Sequence, residues 1–202
     1  MQVLRLLASW QPLSKKERAD TMRVFINPGH CPGVDSGAVN YSYGVTEAAI
    51  VKEVGDMVAD YLRKAGCEVE LLQSDNLAGE NPNYPNVCAS ANNWPADVFV
   101  SLHCNAAASE QANGTECFVF SHWSKSDRLA ACIQSQIVHS LGTSDRGVKV
   151  GPRLIVLRNT TMPAVLVELA FISNDADCEK LIDQKRDFAA AVARGVTDFL
   201  TE

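Results

Sequence analysis

Short apolar runs alternate with longer amphipathic stretches along this chain from Met22 onward. The apolar runs predict strands over 23–27, 67–72, 97–102, 115–120, 154–157 and 164–167. Apolar positions at helical spacing predict helices over 47–65, 126–141 and 175–200, with a short helix before Trp94 and an interruption near Asp183. This alternation predicts an α/β fold: a single-domain sandwich with a mostly parallel twisted sheet flanked by helices.

Three of these apolar runs are followed directly by a side chain that can bind a metal or transfer a proton. The run 24–29 leads to His30, the run 98–102 to His103, and the run 164–167 to Glu168. Parallel sheets place functional groups at the carboxyl ends of buried strands, so we expect the three side chains to lie near one another. The recurrence favours a hydrolase.

Glu47 adds a carboxylate at the start of the helix that Thr46 is expected to cap. Two histidines and one glutamate suit a catalytic zinc ion, which takes three protein ligands and keeps the fourth position for water. Glu168 would then remain free to take a proton. The pattern alone leaves another interpretation open, because strand-end histidines are often structural and a carboxylate is stabilised by a helix N-terminus.

Composition and net charge narrow the range of possible binding partners, but they do not indicate a reaction. Apolar residues make up 47% and charged residues 21%, as in soluble globular proteins, and the net charge is −6. An acidic chain does not favour nucleic-acid binding, and no apolar run approaches the roughly 20 residues of a transmembrane helix. The seven cysteines are odd in number and contain no Cys-x-x-Cys pair, so we expect mostly reduced thiols.

The chain is expected to have two parts, an N-terminal extension over 1–21 and a catalytic domain over 22–202. The apolar stretch at the N-terminus is short and interrupted by Arg5, so no signal peptide is visible. We expect synthesis in the cytoplasm and action after release or separate export. We also expect a monomer.

Three segments resemble motifs of the zinc-dependent N-acetylmuramoyl-L-alanine amidases of the amidase-3 family, which cleave bacterial cell walls. The matching segments are 27–30 with 35–38 and Glu47, then 101–106, then 157–168 with 171–174. Departures from the family pattern lie at Asn27, at Cys31-Pro32 and at Leu169-Ala170, and none of them removes a ligand. The resemblance covers the chain from about Arg23 to its C-terminus.

The resemblance implies one zinc ion held by His30, Glu47 and His103, with Glu168 as the catalytic base. It implies hydrolysis of the amide between N-acetylmuramic acid and L-alanine of the peptidoglycan stem, as in autolysins and endolysins. Asn105 and Arg158 are candidate substrate-binding residues, although a turn-forming Asn and a surface Arg would look the same. The alternatives are another zinc peptidase acting on small peptides and a non-catalytic wall-binding module.

Overall fold

The computed structural model describes residues 21–201, so nearly all of the expected extension 1–21 lies outside the described residues. The strands are β1 Arg23–Pro28, β2 Val39–Asn40, β3 Val45–Thr46, β4 Glu68–Leu71, β5 Val98–Asn105, β6 Thr115–Val119, β7 Asp145–Val150 and β8 Ala164–Phe171. The helices are α1 Glu47–Lys64, α2 Val87–Asn93, α3 Lys125–Leu141, α4 Ile155–Asn159, α5 Asp175–Asp183 and α6 Lys185–Thr201. Within 21–201, no helix is long and apolar enough to cross a bilayer.

Six strands form the central sheet in the order β4-β1-β5-β8-β6-β7. The neighbours are parallel except for β6 against β8, while β2 and β3 form a separate antiparallel pair. The expected α/β fold with a mostly parallel sheet is therefore confirmed. Strands β1, β5 and β8 end at one edge of the sheet, which we call the carboxyl edge, and β6 begins there.

The two faces of the sheet bury separate apolar clusters because side chains alternate along each strand. Val24 and Ile26 of β1 pack into the larger cluster with residues of α1, α3 and α6. Phe25 points the other way, into a smaller cluster with Phe99 and residues of α2 and α4. We call the face covered by α2 and α4 the site face, because these short helices leave its carboxyl edge open.

Helix α1 places the carboxylate of Glu47 at the carboxyl edge. The Thr46 side chain caps the helix by accepting a hydrogen bond from the Ala49 backbone N–H at 3.3 Å. Ile50, Val51 and Val54 are buried on the side of α1 that packs against the sheet. Cap and packing together fix the first helical turn, as the sequence predicts.

One predicted strand is wrong, and the sequence analysis missed strand β7 of the central sheet as well as the short pair β2 and β3. The run 154–157 forms part of helix α4, whose Val156 and Leu157 fill the smaller cluster instead of joining the sheet. Strand β7, by contrast, is rich in polar residues because it lies at the edge of the sheet, so it lacks the apolar signal of a buried strand.

Candidate active site

His30, Glu47 and His103 meet at the carboxyl edge of the sheet. His30 Nε2 lies 3.1 Å from Glu47 Oε2, and His103 Nδ1 lies 2.9 Å from Glu47 Oε1. The two imidazole rings are 5.1 Å apart between centroids and nearly perpendicular, at 76°. One potential ligand atom from each residue lies within 4.8 Å of the other two, so the group can hold a metal ion.

Two glycines leave the space that this arrangement needs. A Cβ atom at Gly29 would lie only 2.2 Å from the His103 ring. A Cβ atom at Gly37 would lie 2.6 Å from both Glu47 Oε2 and the His30 ring, and Gly37 also has a positive φ of 61°. The loop after β1 can therefore approach the site only with glycine at both positions.

Glu47 is the common partner of both histidines and is only 4% exposed. Its carboxylate also accepts hydrogen bonds from the backbone N–H groups of Ala38 at 2.9 Å and Cys104 at 3.0 Å. Burial alone would raise the pKa of Glu47, but the hydrogen bonds with His103 and His30 outweigh it and hold the pKa well below its usual range. Glu47 is therefore ionised throughout the neutral range.

Asp35 orients His30 from the side away from Glu47. His30 Nδ1 lies 2.6 Å from Asp35 Oδ2, and Asp35 Oδ1 accepts a hydrogen bond from the Gly37 N–H at 2.9 Å. The hydrogen bonds with Glu47 and Asp35 raise the pKa of His30 to about 9 against the opposing effect of burial. Sequence reasoning missed Asp35 as a second partner, although it lies five residues after His30 in the same loop.

Glu168 lies beside His103 on the next strand. In the register of the sheet it is the direct partner of His103 on β5 and of Glu116 on β6. Its Oε2 atom is buried, and no described residue makes a hydrogen bond to it. Burial, followed by the charges of Glu47 and Glu116, raises the pKa of Glu168 to about 8.

A cleft of about 470 Å³ opens from the two histidines toward the β4 side of the sheet. Its lining residues are His30, Asp35, Ser74, Asp75, Leu77, Glu80, Asn81 and His103. The wall formed after β4 is fixed by its own hydrogen bonds, from Ser74 Oγ to the Pro85 carbonyl and from Asn81 Nδ2 to Asp75 Oδ2, both 2.6 Å. The sequence showed this segment only as a polar loop.

The two candidate substrate-binding residues lie apart from the cleft. Asn105, at the end of β5, donates a hydrogen bond to Glu116 Oε1 at 2.8 Å. Arg158 is exposed on α4, ahead of the start of β8 at Ala164. Four residues of strand, about 13 Å, separate Ala164 from Glu168. A direct contact between either residue and the substrate stays a prediction.

The residues present fit a bound metal. Two imidazoles and an ionised carboxylate form a donor set that suits zinc. The carboxylate of Glu168, buried beside this set without a hydrogen-bond partner, suits a nearby positive charge or water molecule. Fold and site together define a hydrolase of the α/β class.

Comparisons with known proteins give the family. The N-acetylmuramoyl-L-alanine amidase family matches residues 24–198. The uncharacterized protein YqiI of Bacillus subtilis is 38% identical over 182 residues, which cover 87% of this chain and 84% of that protein. The N-acetylmuramoyl-L-alanine amidase LytC of the same organism is 37% identical over 160 residues, covering 78% of this chain and 31% of LytC.

Solved structures agree with these sequence matches. The N-acetylmuramoyl-L-alanine amidase of Clostridium difficile 630 aligns with a TM-score of 0.77 and 27% identity, covering 90% of this chain and 98% of that one. AmiC2 of Nostoc punctiforme aligns with a TM-score of 0.79 and 28% identity over the same shares. This chain therefore belongs to the N-acetylmuramoyl-L-alanine amidase family of peptidoglycan hydrolases, which confirms the resemblance noted in its sequence.

Proposed function

We propose that the protein cleaves the amide between N-acetylmuramic acid and L-alanine with one zinc ion held by His30, Glu47 and His103, and with Glu168 as proton carrier. The observation that carries this proposal is the position of Glu168. Its buried carboxyl group lies beside His103 in the sheet and has no hydrogen-bond partner for Oε2 among residues 21–201.

The metal and the residues around it would have distinct tasks. Zinc held by these residues would polarise the scissile carbonyl and lower the pKa of a bound water molecule toward about 7. Glu47 supplies a permanent negative charge and spaces the two imidazoles through its two oxygens. Asp35 contacts Nδ1 of His30 and fixes the ring, so Nε2 would be the nitrogen that binds the metal.

Glu168 carries the proton. As general base it takes a proton from the attacking water, and as general acid it gives that proton to the nitrogen of the leaving L-alanine. A carboxyl group is effective in both steps when its pKa is near the working pH, and burial raises the pKa of Glu168 to about 8 in the metal-free protein. The carboxylate of Glu47 would not substitute for it, because the proposal uses Glu47 as a metal ligand and its pKa lies far below neutrality.

The wider setting of the enzyme is also part of the proposal. The substrate is peptidoglycan, reached after release or by separate export, and the protein acts as a monomer with its domain over 22–202. Zinc-dependent cleavage of small free peptides is the rival activity. The two activities differ in substrate, so a direct comparison of muramoyl peptides with free peptides tests them.

The decisive experiment compares zinc-loaded wild type with Glu168→Gln on purified peptidoglycan. Wild type should bind one zinc ion and release stem peptides that begin with L-alanine, identified by mass spectrometry. Glu168→Gln should keep the zinc ion and lose about 10²- to 10⁴-fold in kcat, because the proton carrier is gone but no ligand is.

Glu70→Gln is the matched control, since Glu70 is exposed on β4 and touches none of the ligands. It should behave as wild type in zinc content and rate. Full activity of Glu168→Gln would refute the role of Glu168. Cleavage of free peptides at rates equal to those of muramoyl peptides would favour the rival activity.

A further inference from the structure

A cluster of charged side chains lies next to Glu168 on the site face and has no part in the mechanism above. At its centre is Glu116, which is 5% exposed. Its Oε2 accepts hydrogen bonds from Arg146 Nε at 2.7 Å and from Lys149 Nζ, and its Oε1 accepts from Asn105 Nδ2. The Arg146 guanidinium also lies over the Phe171 ring, 4.8 Å from its centroid. One buried acid thus holds two cations in place.

A β-bulge turns the first of these cations toward the site. The pairing of β6 with β7 shifts register after Thr115, so that Arg146 and Gly147 together lie opposite the single residue Glu116. Gly147 has a φ of 76°, the left-handed conformation that glycine adopts without strain at such bulges. Bulges re-aim side chains, and this one directs Arg146 to the same face as Glu116.

The cluster carries one more positive than negative charge and remains open to ligands. The side chains of Arg146 and Lys149 are 36% and 40% exposed, although both touch the buried Glu116. Within residues 21–201, Glu116 and the Asn113 carbonyl are the only hydrogen-bond acceptors that these two side chains reach. Donors therefore remain for an anion from solution.

The order of residues across the sheet gives the direction in which a substrate would lie. His103, Glu168 and Glu116 occupy three successive strands, about 4.8 Å apart, and face the same side. Glu168 thus lies between the histidines and the cations. Because Glu168 protonates the leaving nitrogen, the peptide that leaves should extend from Glu168 toward Arg146 and Lys149.

Distance then selects the part of the peptide that reaches the cations. Both cations touch Glu116, one strand beyond Glu168, so they lie roughly 5 to 10 Å from the scissile nitrogen. An extended peptide spans about 3.5 Å per residue, which places the second residue of the stem beside the cations. D-Glutamate at that position, linked through its side-chain carboxyl, leaves its α-carboxylate free.

We propose that Arg146 and Lys149, held by Glu116, form a subsite for the free α-carboxylate of the second residue of the stem peptide. This proposal rests on the proposed function, since it uses the position of Glu168 relative to the leaving amine. It predicts that the enzyme discriminates between a stem with D-glutamate and one with D-isoglutamine, whose α-carboxyl is amidated.

The opposite end of the site supports the same orientation. The cleft on the β4 side is lined by the carboxylates of Asp35, Asp75 and Glu80, which would repel an anionic stem. An uncharged sugar with many hydroxyl groups suits such a polar wall. The acidic cleft would thus take the muramoyl side, while Arg146 and Lys149 take the peptide side.

The test measures kcat/KM of the zinc-loaded enzyme on two synthetic muramoyl tetrapeptides that differ only in D-glutamate or D-isoglutamine at the second residue. Wild type should prefer the free carboxylate by about tenfold or more, as expected for charge-assisted hydrogen bonds. Lys149→Gln and Arg146→Gln should each remove most of that preference by raising KM for the D-glutamate substrate. Both should lower kcat/KM much less for the D-isoglutamine substrate than for the D-glutamate substrate.

Two further variants separate charge from folding. Lys149→Arg keeps the charge and should keep the preference, whereas Lys52→Gln removes an exposed lysine of α1 and should change neither substrate. Equal rates of wild type on both substrates, or equal losses on both in Lys149→Gln and Arg146→Gln, would overturn the subsite alone. Failure of wild type to cleave either substrate would overturn the proposed function, and the subsite with it.

Discussion

Zinc binding should release close to two protons around neutral pH. In the metal-free protein the pKa of His30 is raised to about 9 and that of Glu168 to about 8, so both are protonated at pH 7. A histidine nitrogen binds zinc only after losing its proton, and the charge of the ion favours the ionised form of Glu168. Glu47 contributes no proton because its pKa is already far below neutrality.

The magnitude follows from linkage. Each released proton changes the zinc Kd tenfold per pH unit, so two protons give about a hundredfold weaker binding when the pH falls by one unit below 7, or about 2.7 kcal/mol. The number of protons released on zinc binding should fall toward one as the pH rises through 8, because Glu168 then ionises without the metal. The zinc Kd should become nearly independent of pH above about 9, because His30 then also loses its proton without the metal.

The assay is a zinc titration by calorimetry in two buffers with different ionisation enthalpies, combined with chelator competition at several pH values. Glu168→Gln should lower the number of released protons from about two to about one near pH 7. Glu70→Gln, exposed on β4, should leave it unchanged. A zinc affinity that does not change between pH 6 and 8 would refute the reasoning.

Three further predictions concern single residues. Gly29→Ala should lose most bound zinc, measured by metal analysis, because its Cβ would lie 2.2 Å from the His103 ring. Asp35→Asn should weaken zinc binding by about 10- to 100-fold, measured by chelator competition, because the carboxylate that orients His30 is lost. Arg158→Ala should raise KM on muramoyl peptides without changing zinc content, as expected for a substrate-binding residue. An unchanged KM would show that Arg158 does not bind the substrate.

Each metal-site prediction has a control and an outcome that contradicts it. Gly33→Ala lies in the same loop with open space around its Cβ position, so it should keep its zinc despite the strain of a positive φ of 83°. Asp56→Asn removes an exposed carboxylate paired with Lys52 and should not alter zinc affinity. Normal zinc content in Gly29→Ala, or a wild-type Kd in Asp35→Asn, would show that these contacts do not position the ligands.

Much of the fold and the central residues of the site could be predicted because buried strands and helix caps have local signals. His103 and Glu168 follow continuous apolar runs, and Glu47 follows the capping residue Thr46, so each could be placed on an element before the structure was known. That the two strand ends are neighbours is a property of strand order, which periodicity does not contain. The pairing of His103 with Glu168 therefore required the structure.

The missed features lack such local signals, each for its own reason. Strand β7 has no apolar alternation because it is an edge strand with a bulge, and its hydrogen bonds to Glu116 span about 30 residues. The run 154–157 is equally apolar in a strand or in a short helix, and only its packing in the smaller cluster selects the helix. Asp35 was overlooked because a loop carboxylate has no periodic signal.

The four hydrogen bonds received by Glu47 have a consequence for the order in which the enzyme is assembled. They join the loop after β1, the start of α1 and strand β5, through Ala38, Cys104 and the two histidines. The apolar clusters contain none of the side chains of His30, Glu47 and His103. Under the proposed function, zinc would therefore bind to ligands that the protein's own hydrogen bonds already position, rather than organise the fold as it does in zinc fingers.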